Sequence, residues 1–233
     1  MEHARYLERR GQIEHYFDRT AAQAWERLTS TAPVGRIRAT VRAGRDRMRS
    51  TLLGWLPHDL RGRRILDAGC GTGALAVEAA RRGADVLAID LSPTLIRLAN
   101  ELAPRDLGAG RIRFMVGDML DPPEGHFDHV VAMDSLIHYQ ASDMTRAVAA
   151  LAARARHSVL FTFAPRTPAL TVMHTVGRLF PRGNRAPSIE PIEPGNIRHR
   201  LVTASVLKAW QPSRSQRIAS GFYTSQAMEL RKT

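Results

Sequence analysis

Ile65-Leu66-Asp67-Ala68-Gly69-Cys70-Gly71-Thr72-Gly73 joins a short apolar run to an acid and then to three glycines at alternate positions. The pattern then turns helical through Leu75, Val77, Ala79 and Ala80. That order reads as strand, tight turn, helix, with a turn bare of side chains. Glycines belong in such a turn where a ligand presses on the backbone or where φ must be positive. The stretch predicts a nucleotide-type pocket at the carboxyl end of a strand.

Charge separates the candidate ligands. Gly69, Gly71 and Ala74 also satisfy the loose dinucleotide fingerprint, with Asp90 about 20 residues on. A dinucleotide would set its pyrophosphate on this turn and on the helix that follows. Asp67 enters the turn directly and would repel it. S-adenosylmethionine has no phosphate and brings an ammonium and a sulfonium, which an acid favours. The spacing D-x-G-x-G-x-G is therefore read as an S-adenosylmethionine site; a glycine turn without a ligand is the other alternative.

Later segments repeat the strand-then-acid pattern. Val86-Leu87-Ala88-Ile89-Asp90 is a second strand, and Asp90 can accept both ribose hydroxyls. Leu91-Ser92-Pro93 opens a helix, with Ser92 as cap and Pro93 in the first turn. A third strand, 113–119, ends at Asp118, which can accept from the adenine amino group, and at Met119, which can pack on the ring. Residues 127–134 form a fourth strand ending at Asp134, and 158–164 a fifth. The cofactor set thus comprises Asp67, Gly69, Cys70, Gly71, Gly73, Asp90, Leu91, Asp118, Met119 and Asp134. For single members a plainer reading stands beside this one: Cys70 as a small residue that fits the turn, and Asp134 as a helix cap.

This order resembles the class I S-adenosylmethionine-dependent methyltransferases. The resemblance implies an α/β, Rossmann-like fold: a seven-stranded, mostly parallel sheet with helices on both faces and an antiparallel last strand. Residues 215–219 and 227–230 are expected to supply the closing strands. Four segments follow: an N-terminal helical arm or lid over 1–58, the cofactor-binding core over 59–165, a substrate-pocket insertion over 166–200, and closing strands over 201–233.

Ile13, Phe17, Thr20, Ala21, Ala24, Trp25 and Leu28 share one helical face in the arm. A second helix is expected from Gly35 to Leu56, with Ile37, Val41, Met48, Leu52 and Leu56 as its apolar stripe. Arg36, Arg38, Arg42, Arg45, Arg47 and Arg49 give it a cationic face, either a solvated surface or a lid that meets an acidic substrate or lipid. After the fifth strand, Leu170 to Phe180 read as an apolar helix bordered by Arg178, Arg182 and Arg185. That border suits a flat, apolar ligand with acidic ends; a packing helix and a membrane-surface helix are the other readings.

Composition sets the outer bounds. At 233 residues the chain suits one α/β domain with additions. Its one cysteine, Cys70, cannot form an internal disulfide, so a reducing compartment is expected. No apolar run approaches the ~18 residues of a membrane span, which predicts a cytoplasmic or membrane-peripheral protein. The net charge is +12, and Lys208 and Lys232 are the only lysines. An arginine-rich surface favours anionic partners: nucleic acid, an anionic membrane surface or a carboxylate substrate.

His15 to Thr20 with Trp25, Arg36 to Arg49, Val131 to Tyr139, Phe180 to Arg185 and Gly221-Phe222-Tyr223 narrow the resemblance. Together they are similar to the magnesium protoporphyrin IX methyltransferases, most of all the purple-bacterial branch of bacteriochlorophyll synthesis. The resemblance implies methyl transfer from S-adenosylmethionine to one propionate of magnesium protoporphyrin IX, giving the monomethyl ester and S-adenosylhomocysteine. Magnesium would arrive only inside the porphyrin. By the same resemblance His138 and Tyr16 lie nearest the transferring methyl, as positioning groups. Tyr139, Arg178, Arg182 and Arg185 face the substrate. The magnesium chelatase large subunit and the photosynthetic membrane surface are implied partners. His138 as a structural histidine on the next helix, and Tyr16 as helix core, are the plainer readings.

Three other functions are weighed. A methyltransferase acting on a quinone or another small acid would share only the core. An RNA-modifying or RNA-binding protein fits a pI of about 11.2. Against it, the place after the fourth strand reads Met133-Asp134-Ser135-Leu136 and not Asn/Asp-Pro-Pro-Tyr, and the basic segments lack interleaved aromatics. No nucleic-acid partner is therefore expected. A non-catalytic porphyrin carrier would not need the intact set of glycines and acids.

Overall fold

The computed structural model describes residues 11, 36–123, 125–166 and 189–233, with side chains from residue 39 onward in the first long stretch. The arm helix expected over 13–28, including Tyr16, and the segment carrying Arg178, Arg182 and Arg185 lie outside the described residues.

The described chain runs α1 (Arg36–Trp55), β1 (Arg64–Ala68), α2 (Ala74–Arg81), β2 (Asp85–Asp90), α3 (Pro93–Leu102), β3 (Arg111–Val116), β4 (Phe127–Ala132), α4 (Ala141–Arg154), β5 (Ala155–Phe163), α5 (Pro194–Thr203), β6 (Trp210–Ser220) and β7 (Tyr223–Lys232). One sheet of seven strands has the order β3-β2-β1-β4-β5-β7-β6. β1 to β5 pair in parallel, and β7 lies antiparallel between β5 and β6. The strand order reverses at β1, which sits between β2 and β4; open α/β sheets bind ligands outside the carboxyl ends of the strands at such a point.

Helices cover both faces because the central strands are apolar on both. Successive side chains of a strand point to opposite faces. Leu66, Val130 and Phe161 join the core that also holds Met144, Leu151 and Ile197 of α4 and α5. Ile65, Val131 and Leu160 join the other core, with Met48, Leu52 and Leu53 of α1 and Leu75, Ala76 and Ala79 of α2. The stripe expected on α1 is thus buried at Met48, Leu52 and Leu56, while Arg42, Arg45 and Arg47 are exposed.

Several boundaries differ from the sequence expectation. β3 stops at Val116 and β4 at Ala132, so Asp118 and Asp134 lie in the turns beyond. Gly117 N–H still donates to Asp90 O at 2.9 Å, after which the chain leaves the ladder. β6 and β7 run well past the short stretches expected for them. The two ends of the undescribed 167–188 segment meet at the carboxyl end of β5. There Pro165 bridges Ile192, Arg166 N–H donates to Ile192 O, and Ile192 N–H donates to Ala164 O, both at 2.9 Å.

Candidate cofactor and substrate site

Asp67, on β1, is the chemical centre of the glycine turn. It is 1% exposed. Burial, helped by the Asp90 charge and opposed by the Ala76 amide, pushes its carboxyl up to about 7. Its Oδ2 has no hydrogen-bond partner, and neither has Ser135 Oγ, the other buried side-chain atom in this state among the described residues. An unpaired buried polar atom costs about 1–3 kcal/mol, and more for a charged group. An ammonium seated at Asp67 removes that penalty, whereas a phosphate would add repulsion.

The turn itself is built for close approach. Gly69, Gly71 and Gly73 have φ of 80°, 56° and 77°. A Cβ on Gly69 would lie 2.4 Å from Ser135 Cβ. The amides of Gly69 and Cys70 donate to Ile89 O at 2.8 and 3.0 Å, which pins the turn to β2. The Cys70 thiol is pushed up, first by burial and then by Asp67 and Asp90, so it stays protonated where it lines the cleft.

Asp90 closes the other side. Its Oδ2 accepts from Gly71 N–H at 2.8 Å and its Oδ1 from Ser92 N–H at 3.0 Å. A carboxylate oxygen accepts more than one hydrogen bond, the capacity that binding two ribose hydroxyls would draw on. Ser92 caps α3 as the sequence predicts, its Oγ accepting from Leu95 N–H at 3.2 Å. Next in the chain, Leu91 is half-buried. Asp118 Oδ1 accepts from Leu120 N–H at 2.9 Å, and Met119 is buried at the same corner.

A cleft of about 360 Å³ runs along this turn, lined by Asp67, Gly69, Cys70, Gly71, Thr72, Ala74, Leu75 and Met133. Its opposite wall is α1, through Val41, Arg42, Arg45, Asp46 and Arg49. The arginine face of α1 therefore overlooks the turn. Arg49 is engaged by Asp46 at 2.9 Å and by Glu78 at 2.5 Å.

Two expectations need correction. Asp134 does not cap a helix, because the N-cap of α4 is Gln140. With φ of 56°, Asp134 instead turns its carboxylate to Tyr223, whose O–H donates at 3.1 Å, and to Thr162, whose hydroxyl donates at 3.2 Å. Arg45 Nε stands 3.4 Å from the same carboxylate. Tyr139 is 3% exposed within the main core and does not line the cleft at the glycine turn. His138 is 5% exposed in the turn before α4, not on the helix; the neighbouring Ile137 O accepts from Glu190 N–H at 2.9 Å. It therefore sits where the 167–188 segment returns. Sequence reading missed the grouping of Arg45, Thr162, Tyr223 and Ser225 around Asp134. Tyr223 lies 89 residues from Asp134, and no local spacing links the two.

Known proteins match the sequence and the fold. A family model described as the magnesium-protoporphyrin IX methyltransferase C-terminus matches residues 132–232, and a methyltransferase-domain model matches 65–157. The magnesium-protoporphyrin O-methyltransferase of Rhodobacter capsulatus is 48% identical over 97% of this chain and 98% of its own length. A ubiquinone biosynthesis O-methyltransferase from Xanthomonas oryzae is 38% identical, but over only 54% of this chain and 55% of its own. The crystal structure of magnesium protoporphyrin IX methyltransferase from Synechocystis PCC 6803 with bound SAH superposes with a TM-score of 0.80 at 28% identity, covering 95% of this chain and 98% of that one. With a relative 48% identical along nearly the whole of both chains, the chain belongs to the magnesium-protoporphyrin IX methyltransferase family.

Proposed function

We infer that the protein methylates a propionate carboxylate of magnesium protoporphyrin IX to give the monomethyl ester, with S-adenosylmethionine as donor. The observation that carries this reading is the reach of the resemblance. The porphyrin-methylating relative matches 97% of the chain, flanks included, whereas the quinone-pathway relative matches only about half of it.

The donor supplies a methyl group already activated as a sulfonium substituent. Asp67 holds the ammonium end and Asp90 the ribose, with Asp118 and Met119 at the adenine. A propionate has a carboxyl pKa of roughly 4 to 5, by analogy with glutamate. It is ionised at neutral pH, so its oxygen attacks without a general base. The protein's work is alignment and exclusion of water. We assign His138 to hold or orient the propionate by a hydrogen bond, in support of which it lies next to the return of the 167–188 segment. Tyr16 closes the arm over the methionine part, and Arg178, Arg182 and Arg185 border the macrocycle. No described helix is long and apolar enough to cross a membrane. Contact with an anionic membrane surface and with the magnesium chelatase large subunit belongs to the same proposal, supported by the +12 charge and the exposed Arg42 and Arg47.

The test is purified protein with labelled S-adenosylmethionine and magnesium protoporphyrin IX. Label is expected in a porphyrin ester. A porphyrin that stays unlabelled while RNA or a small quinone acid takes the label would overturn the reading.

A further inference from the structure

We propose that Asp134, Tyr223 and Arg45 form a clasp that positions the Arg45 guanidinium as a carboxylate receptor at the mouth of the cleft. Asp134 is the one described non-glycine residue with positive φ. Such a backbone persists only where its surroundings over-determine it, and it marks functional places more often than chance. Here three strands hold it. Beyond the end of β4, its N–H donates to Thr162 Oγ1 of β5 at 2.7 Å, and its carboxylate accepts from Tyr223 of β7, with Ser225 Oγ 3.4 Å away. The Tyr223 hydroxyl is thereby kept protonated, through burial first and the Asp134 charge second.

α1 is docked on this assembly. Gly44 lies flush on the Tyr223 ring, where a Cβ would come within 2.5 Å of Cδ1. One residue later, Arg45 sets its Nε 3.4 Å from Asp134 Oδ2 while its side chain stays 59% exposed. Arg47 donates to Ala219 O at 2.6 Å and fixes the helix along the β6–β7 hairpin. Arg45 therefore meets the cleft from a fixed direction, across from Asp67 and Gly69. A guanidinium carries five donors in a planar fork, and a contact at Nε sets the plane in which the terminal pair receives a carboxylate.

Two reactants bear that group: the methionyl end of the cofactor and the propionates of the substrate. The second source rests on the proposed function; the first does not. The experiment compares Arg45→Met, Arg45→Lys, Asp134→Asn and the double variant Arg45→Met/Asp134→Asn. It measures calorimetric affinity for S-adenosylhomocysteine and for 5′-methylthioadenosine, which lacks the carboxylate, together with KM for the porphyrin. Arg45→Met is expected to weaken S-adenosylhomocysteine or to raise porphyrin KM by about tenfold or more, with methylthioadenosine unchanged. The first result assigns the cofactor carboxylate and the second the propionate. Arg45→Lys recovers only part of the loss, since a point charge replaces the fork. Asp134→Asn gives a smaller loss, and the double variant is no worse than Arg45→Met, because Asp134 acts through Arg45. Should Asp134→Asn fail to fold, Tyr223→Phe takes its place in the cycle. Affinity and KM both within about twofold in Arg45→Met, or full additivity in the double variant, overturn the clasp. Wild-type protein that binds S-adenosylhomocysteine but leaves the porphyrin unmethylated sinks the proposed function and leaves the cofactor arm of the test standing.

Discussion

A buried acid held near pH 7 couples ligand binding to protons. Asp67 ionises at about 7 in the folded protein against 3.8 in an exposed chain. Between those values the folded form binds the extra proton, so Asp67 favours the folded state most at low pH, and that contribution fades as pH rises through about 7. Under the proposed role of Asp67, ligand binding has the opposite sign, because an ammonium seated on the carboxylate would expel the proton. Affinity for S-adenosylhomocysteine is expected to rise with pH up to about 7, by as much as tenfold per unit, and then to level off. Calorimetry in buffers of different ionisation enthalpy would record the released proton, and Asp67→Asn should bind weakly with a flat profile. Asp90→Ala should weaken the same ligand by about 1–3 kcal/mol, from lost charge-assisted bonds, in a direct titration. The positions of both acids were legible in the sequence because each lies near a strand end beside its own turn. Asp134 was legible as a position but not as a role, since Thr162 and Tyr223 reach it only once β5 and β7 are in the sheet.

At the element scale, the docking of α1 decides whether the cleft has a second wall. Gly44→Ala gains up to about 1 kcal/mol of helix propensity, but overpacking costs about 1–3 kcal/mol. The clash reaches Tyr223 Cγ and Cβ at 2.8 and 2.9 Å, so the ring cannot simply swing away and the loss wins. Denaturant unfolding should show a net destabilisation. Gly54→Ala, on the same helix with nothing within 4 Å of its Cβ, should stabilise instead. The amphipathic stripe made α1 readable from residues 36 to 55, whereas the closing strands were read too short for a physical reason. β6 is an edge strand whose side chains are mostly exposed, and it carries Pro212 beside a register shift. Proline is confined to such edges, so the usual strand signal is weak there. Strand ends at Val116 and Ala132 were overrun because the apolar pattern continues into the turns that carry Asp118 and Asp134.

Taken whole, the molecule joins strand-and-turn patterns that are local in sequence to contacts such as Asp134–Tyr223 that only the assembled sheet creates. A ligand that binds only the folded state adds about 2.7 kcal/mol of stability at a hundred times its Kd. For a protein of this size each kcal/mol moves Tm by roughly 2–4 °C. Saturating S-adenosylhomocysteine should therefore raise Tm by several degrees in a melting scan, while NAD should leave it unmoved; a shift with NAD would reverse the assignment of the glycine turn. The place of β7 also governs how the polypeptide is made. Residues 223–232 are translated late, yet they cap β5, whose Val159, Leu160, Phe161 and Phe163 are all buried. Until they emerge from the ribosome, β5 offers a bare apolar ladder edge, the template for pairing with another chain. Nascent protein is thus most prone to aggregate in the interval between synthesis of the fifth and the seventh strand, and a chaperone that shields that edge would raise the yield of folded enzyme.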